Sequence, residues 1–208
     1  MSRPIIVMGA GGHARVLLDI LIRQGHKIVG ITSANPHDFM CRILEIPVIG
    51  SDKLIFNYRT DSVLLVNGLG MMPGKNTRCQ LYEYFKGQGY TFAQVIHPSA
   101  IISSDIKILE GVQIMAGAII QTGAVIAENT IINTRVVVDH DSFIDKHVHL
   151  ATGATVAGGV SIGEGTFVGA GATIIQGIKI GAHCVVAAGA VVVRDLPDGT
   201  KLTGVRGC

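Results

Sequence analysis

His140 and Asp141 stand side by side in a segment that reads Asn133-Thr-Arg-Val-Val-Val-Asp-His140-Asp141. An imidazole beside a carboxylate is the minimal apparatus of a general base: the carboxylate fixes the tautomer and supports the charge that forms when the ring takes a proton. The plain alternative is a solvent-exposed histidine at a turn. Nine residues on comes His149, within His147-Val-His149. Strand alternation would put His147 and His149 on one side, which raises a metal pair. The only further histidine nearby is His140, and its spacing to His149 does not match the close pairs of zinc sites, so no metal is expected. His26 and His37 fall in turn-like segments, His97 precedes a proline, and His183 takes a position that is elsewhere glycine. None of these four asks for a chemical role.

A second constellation is Gly9-Ala10-Gly11-Gly12-His13-Ala14, set between an apolar run and a helical pattern. Glycines at such a place let a phosphate approach the backbone at a helix N-terminus, and His13 could donate to it. A tight strand-to-helix turn without a ligand is the competing reading. The end of the next strand offers Thr32 and Ser33 where a dinucleotide binder usually places an acidic residue for the ribose. A mononucleotide or a nucleotide-sugar is therefore the better candidate than NAD.

The elements that position these residues follow from a period of six. From Ile102 to Val192 every sixth residue is Ile, Val or Leu, sixteen in a row: Ile102, Ile108, Ile114, Ile120, Ile126, Ile132, Val138, Ile144, Leu150, Val156, Ile162, Val168, Ile174, Ile180, Val186 and Val192. Small residues stand two places before many of them, as at Ala118, Ala154 and Ala190, and glycine stands three places before most of the later ones. This period fits neither a helix nor one long strand; it predicts a parallel β-helix in which three hexapeptides close each triangular coil, about five coils in all. The register also works as a ruler. Gly158 lies eighteen residues beyond His140 and should sit directly one coil above it, where an exposed N–H could stabilise an oxyanion near the base. The same step relates Ala170 to Ala188, leaving a side-chain-poor groove that could accept an extended pantetheine arm.

Residues 1–95 read differently. Strand-like PIIVM, KIVGI and SVLLVN alternate with the helical HARVLLDILIRQG and NTRCQLYEYFKGQG, which predicts a small Rossmann-like parallel sheet with helices on its faces. His97-Pro98 marks a plausible junction, so the expected division is an α/β domain over 1–95 and an all-β helix over 96–208.

Composition closes off other classes. A formal charge of +2, evenly scattered, does not argue for nucleic acid or an anionic membrane. The mean hydropathy of +0.46 is accounted for by an aliphatic helix interior, and no apolar stretch approaches the ~18 residues of a spanning segment. The N-terminus has no long apolar core of a signal peptide, and four cysteines without CxxC spacing read as reduced thiols, so a cytoplasmic protein is expected.

On the segments GAGGHARV, HPSA, NTRVVVDHD, HLATGATVAGGVSIGEGTFVGAGA and GAGAVVVRDLPDG, the chain resembles the sialic-acid O-acetyltransferase NeuD family, which includes the PglD-type acetyltransferases of nucleotide-linked 4-amino-sugars. The hexapeptides alone are similar to the wider group of left-handed β-helix acyltransferases. The resemblance implies a homotrimer with acetyl-CoA between neighbouring helices and no metal. It implies His140 as general base with Asp141 as its carboxylate, usually Glu; His149 near the thioester; Asn133 as a neighbouring polar group; and Gly158 as the amide facing the thioester carbonyl, with Ala170 and Ala188 along the carrier arm. Gly11, Gly12 and His13 resemble the residues that hold the sugar nucleotide's phosphates. Two departures stand out: Thr32 and Ser33 replace adjacent aspartates, so the nucleotide could be UDP, dTDP or GDP, and the C-terminus reads Gly-Val-Arg-Gly-Cys rather than Gly-x-Pro-Ala.

The implied activity is acetyl transfer from acetyl-CoA to a sugar 4-amino group by direct attack, without a covalent acyl-enzyme. A sialic-acid hydroxyl as acceptor is the nearest alternative. A non-catalytic β-helix scaffold and a zinc site like that of γ-class carbonic anhydrases are alternatives of other classes.

Overall fold

A computed structural model describes residues 3–39 and 41–203. The chain divides into two compact units, Met1–Val95 and Ile96–Cys208.

In the first unit β1 (Ile5–Met8), α1 (Gly12–Arg23), β2 (Ile28–Thr32), β3 (Arg42–Ile43), β4 (Ile46–Gly50), β5 (Leu64–Asn67) and α2 (Thr77–Gly87) succeed one another. The sheet order is β3-β4-β2-β1-β5, parallel except for the β3–β4 pair. All four residues of β1 are buried, as expected for a central parallel strand covered on both faces. Helix α1 turns Ala14, Leu17, Leu18, Ile20 and Leu21 inward, and Gly25 at φ 71° follows its end.

Strands β3 and β4 escape the sequence reading for a specific reason. They form a two-residue hairpin whose turn, Leu44-Glu45, has φ of 49° and 64°. Both central residues of such a turn need positive φ, and the usual signal is Asn-Gly or Asp-Gly. Leu-Glu carries no such mark.

The second unit is the expected parallel β-helix. Its two-residue strands stack with an eighteen-residue step into three faces. The first face carries the strands from Ile101–Ile102 through Val137–Val138 and Thr155–Val156 to Val191–Val192. The second runs from Lys107–Ile108 through Phe143–Ile144 to Lys179–Ile180. The third runs from Gln113–Ile114 through His149–Leu150 to Lys201–Leu202. The inward residues from Ile114 to Val192 form one aliphatic cluster, nearly all of it inaccessible to solvent. Each such side chain contributes about 1.5–3 kcal/mol of hydrophobic stabilisation.

Between strands the chain turns a corner on a pair of residues, the second of which has positive φ at every sixth position from Gly111 to Gly189. Glycine fills most of these places, but Asn129, Arg135, Asp141, His147 and His183 do not. Four of the five are consecutive, so the non-glycine corners concentrate on the stretch that carries the candidate base.

Candidate functional site

The corner between the first and second faces holds His140 and Asp141. Asp141 adopts the left-handed conformation, φ 57°, which asparagine, aspartate and histidine tolerate better than other side chains. His140 Nδ1 lies 2.8 Å from Asp141 Oδ2, so the ring donates its Nδ1–H to the carboxylate and leaves Nε2 as the free base. The His140 N–H is held in turn by Asp139 Oδ1 at 2.8 Å. The hydrogen bond it donates to Asp141, with the nearby negative charge of Asp139 and Asp141, raises the imidazole pKa above its ordinary value. In the isolated chain the His140 side chain is 48% exposed.

Gly158 sits on the same corner one coil above, because Val138 pairs with Val156 and the Gly159 N–H donates to the His140 carbonyl. A Cβ at Gly158 would collide with the His140 ring, with Cε1 at 2.6 Å and Nε2 nearer still. Among the described residues no protein acceptor takes the Gly158 N–H. Ser142 ties these two coils together from inside: its buried Oγ donates to the Ala157 carbonyl at 3.1 Å and accepts the Val160 N–H at 3.3 Å. The sequence reading passed over Ser142, whose signal is a hydroxyl at an inward position that, Thr130, Thr166 and Cys184 apart, is held by aliphatic residues.

His149 and Asn133 lie together, but on the third face. Asn133 Nδ2 is 3.3 Å from His149 Nε2, and Asn133 Oδ1 accepts the Thr134 N–H at 2.7 Å. His149 points outward from its strand and is nevertheless only 7% exposed; the Phe167 ring, one coil above, meets it edge-on at 5.1 Å between centroids. In a triangular prism the corner of His140 is opposite this face, with the aliphatic core between them. Ala170 and Ala188 stack on the corner between the third and first faces, in the same column as Thr134, linked through the Gly189 N–H to the Ala170 carbonyl, and both are exposed. One chain thus brings together His140, Asp141 and Gly158, and separately Asn133 and His149, without joining the two sets.

The expected alternation of His147 with His149 does not hold. The strand is only His149–Leu150, and His147 is at the preceding corner with φ 59°, buried and hydrogen-bonded to Asn129 at 2.9 Å. Two-residue strands are too short for alternation to reach across a corner. Among the described residues no group of three His, Cys, Asp or Glu side chains is arranged to hold a metal ion.

In the first unit, Gly11 caps α1 and Gly12 and His13 open it, with no side chain capping the first turn. From β1 the chain steps to β2 on one side and to β5 on the other, which makes the carboxyl ends of β1 and β5 the switch point where open α/β sheets take ligands. The loop after β5 is pinned there by Arg78, whose buried guanidinium donates to the Asn67 and Leu69 carbonyls at 2.9 and 2.6 Å. Burial pushes its pKa down to about 9, which still leaves a cation at neutral pH. A cavity of about 230 Å³ opens between Leu69, Gly70, Met72, Lys75, Thr77 and Arg78.

Thr32 and Ser33 stand at the end of β2 as expected, but both are buried and their hydroxyls are engaged within the protein. Thr32 Oγ1 donates to Asp52 Oδ1 at 2.5 Å, and Ser33 Oγ donates to Asp38 Oδ2 at 2.6 Å. The acidic groups missing from the sequence at this strand end are supplied from further along the chain. Asp38 also accepts from Asn35 Nδ2 at 3.2 Å and remains partly exposed. The C-terminal residues 204–208, which depart from the usual Gly-x-Pro-Ala, lie outside the described residues.

Residues 4–85 match the family described as the PglD N-terminal domain, and residues 159–194 match the hexapeptide repeat of succinyl-transferase. Among curated protein sequences none matches. Among solved structures, the acetyltransferase domain of PglB from Neisseria gonorrhoeae is 31% identical over 96% of both chains, with a TM-score of 0.87, and the same domain has been solved in complex with acetyl coenzyme A. A histidine-to-asparagine variant of perosamine N-acetyltransferase from Caulobacter crescentus, in complex with CoA and GDP-perosamine, is 35% identical over 100% of this chain and 99% of its own, with a TM-score of 0.89. WeeI from Acinetobacter baumannii shares the fold at 21% identity, with a TM-score of 0.84 over 96% of both chains.

Proposed function

This chain belongs to the PglD/NeuD-like sugar acetyltransferases, and we propose that it moves the acetyl group of acetyl-CoA to the 4-amino group of a nucleotide-linked amino-deoxysugar. It is an acetyl-CoA-dependent hexapeptide-repeat acyltransferase, with a left-handed β-helix following a small α/β unit. The observation that carries the finer reading is the His140–Asp141 pair with its ring laid over Gly158. Of the possible nucleotides a GDP-sugar is the first choice, supported by the GDP-perosamine bound to the 35% identical relative.

The chemistry follows from the geometry. The free amine attacks the thioester carbonyl carbon while His140 Nε2 takes one of its protons, and Asp141 balances the imidazolium that forms. The carbonyl oxygen becomes an oxyanion, to which the Gly158 N–H can donate. The intermediate collapses by breaking the carbon–sulfur bond, and the departing thiolate recovers the proton from His140. The products are an amide and CoA, with the enzyme unchanged.

The reading includes a homotrimer with active sites between subunits. Outward residues of the first face, Ile101, Ile119, Val137, Thr155, Thr173 and Val191, include no charge, and Ile101 and Val191 are 65% and 58% exposed. Turning that face toward a threefold axis sets the His140 corner of one copy beside the corner of Ala170 and Ala188 in the next. The separation of His140 from Asn133 and His149 within one chain supports the same arrangement. In the first unit, Gly11, Gly12 and His13 would receive the diphosphate and Asp38 the ribose.

A thiol-release assay with acetyl-CoA tests the reading against UDP-, dTDP- and GDP-linked 4-amino-sugars and free and CMP-linked sialic acids. Turnover of a nucleotide-linked amino sugar is expected; turnover of sialic acids alone would replace the acceptor. Full activity in His140→Ala would remove the base.

A further inference from the structure

Several turns of the helix are closed by a backbone hydrogen bond of their own. The carbonyls of Ala151, Gly169 and Ala187 accept the N–H groups of Ala154, Ala172 and Ala190 at 3.1, 3.2 and 3.2 Å. On the corner that carries His140, the Gln121 carbonyl accepts the Ala124 N–H at 3.4 Å. The turn that presents Gly158 is closed differently. Ser142 Oγ, from the coil below, stands between the two backbone groups: it accepts the Val160 N–H at 3.3 Å and donates to the Ala157 carbonyl at 3.1 Å. The His140 carbonyl is 3.5 Å from the same hydroxyl but already takes the Gly159 N–H at 2.8 Å, so the single hydroxyl proton goes to Ala157. The Ala157 carbonyl and the Gly158 N–H belong to one planar peptide unit. One end of that unit is held by Ser142, and the other is the donor for the oxyanion.

Two sister turns on the corner between the second and third faces show what such a peptide does. Thr130 Oγ1 accepts the Val148 N–H at 3.3 Å and donates to the Asp145 carbonyl at 2.8 Å. Thr166 Oγ1 does the same between the Cys184 N–H, at 2.9 Å, and the Gly181 carbonyl, at 2.8 Å. In both turns the N–H at the far end of the hydroxyl-bound peptide holds a carboxylate oxygen: Lys146 donates to Asp145 Oδ1 at 2.7 Å, and Ala182 to Asp198 Oδ1 at 2.8 Å. Gly158 occupies the same place in its turn, and Ala157 before it has no side-chain oxygen to offer. We infer that Ser142 is a positioning residue for the oxyanion donor, fixing and polarising the Ala157–Gly158 peptide so that its N–H meets the developing negative oxygen of the thioester. The inference rests on the acetyl-transfer reading and on the part of the Gly158 amide in it. Drawing electron density onto the Ala157 oxygen leaves the amide nitrogen more positive and its N–H a stronger donor. The Val160 N–H, the Ser142 hydroxyl and the Gly158 N–H form one chain of hydrogen-bonding dipoles, set before the reaction begins and open only where the oxyanion forms. Ser142 itself exchanges no proton in the reaction.

The test is the thiol-release assay on variants of the whole chain. Ser142→Ala should lower kcat by about 3- to 10-fold, the worth of one hydrogen bond, while the KM for acetyl-CoA and for the acceptor stay as they were. The acid limb of its pH profile should not move, because the His140–Asp141 pair is untouched. Ser142→Thr should recover most of the lost rate, since threonine does the same work in the sister turns. Thr166→Val removes an equal bridge from a turn away from the base, so it should cost stability without lowering kcat. A native kcat in Ser142→Ala, a displaced acid limb, or an equal fall of kcat in Thr166→Val would each overturn the assignment. An inactive His140→Ala beside a fully active Ser142→Ala would strike the Ser142 role alone, whereas full activity in His140→Ala would remove the mechanistic reading and the Ser142 role with it.

Discussion

The imidazole of His140 occupies the space that a side chain at Gly158 would need, with Cε1 2.6 Å from the place where a Cβ would be. The two residues are eighteen positions apart and one coil apart, and the Gly159 N–H locks the coils together through the His140 carbonyl. Glycine is thus required by the histidine above any turn preference of its own. Gly158→Ala should swing the half-exposed ring off the corner, breaking its alignment with Asp141 and with the acceptor. Misplacement of a base by about 1 Å can cost about 100-fold in rate, and a loss of that order in kcat is expected. The melting temperature should change little, since the ring moves into solvent and the core is untouched. A variant with native kcat would show that the ring position is immaterial.

The pH dependence of kcat/KM should carry an acid limb set by His140. The base must be neutral to act, and the Asp141 hydrogen bond holds its pKa above the ordinary histidine value. Activity therefore rises as pH climbs through that raised pKa and is lost below it. Asp141→Asn removes the charge that supports the imidazolium, so the limb should move to lower pH while the maximal rate falls. His140→Ala should lose the limb altogether, together with about 10²–10⁴-fold in kcat. A limb unmoved by Asp141→Asn would assign it to another group.

How much of this was legible follows from how the parts are encoded. The helix and the His140–Gly158 relation were readable because a parallel coil converts sequence distance into height, so that adding eighteen is a structural operation. The burial of His149 was not legible: its period says outward, yet Phe167 one coil above covers it. His147 was misplaced because strand alternation was carried through a corner. In the first unit the helices and three strands follow apolar period, whereas the Leu44-Glu45 hairpin lacks turn residues and hides two strands. Asp38 and Asp52 return to the end of β2 through folded connections, and no local pattern announces such a return.

Those carboxylates separate two roles at the end of β2. Thr32 is wholly buried and its hydroxyl donates to Asp52, so Thr32→Val, which leaves the Asp52 carboxylate without that donor, should lower stability by about 1–2 kcal/mol, read by denaturant unfolding of the whole chain. Asp38 is positioned by Ser33 and Asn35 and partly open to solvent. Asp38→Asn should raise the KM for the nucleotide-sugar by about 10-fold or more while leaving the KM for acetyl-CoA as it was. Equal changes in both constants would argue against a ribose contact.

The uncharged first face predicts its own failure mode. Val137→Glu adds a charge to an outward position that the native chain leaves partly exposed, so the isolated subunit can fold around it. In a trimer the same charge would be buried and unpaired, at a cost of about 2–5 kcal/mol per contact. Sedimentation velocity should show trimer for the native chain and smaller species for the variant, with acetyl transfer falling in proportion to trimer. A native monomer that is fully active would overturn the shared site.

Arg135 is the corner residue whose conformation its side chain justifies least. It holds φ 59° where Gly117, Gly153, Gly171 and Gly189 occupy the same corner in neighbouring coils; its backbone N–H donates to the Ala116 carbonyl at 3.0 Å, but among the described residues its guanidinium makes no hydrogen bond or ion pair. The left-handed region costs a residue with a Cβ about 1–2 kcal/mol, of which glycine recovers most after its own entropy loss. Arg135→Gly should therefore stabilise the protein by roughly 0.5–1 kcal/mol, seen as a higher unfolding midpoint. The residue lies two positions beyond Asn133, on the corner that the proposed trimer would set against a neighbour's His140, so the same substitution should weaken acceptor binding. Greater stability combined with a raised acceptor KM would identify Arg135 as strain kept for the site, whereas lower stability would mean that the guanidinium supports the fold itself.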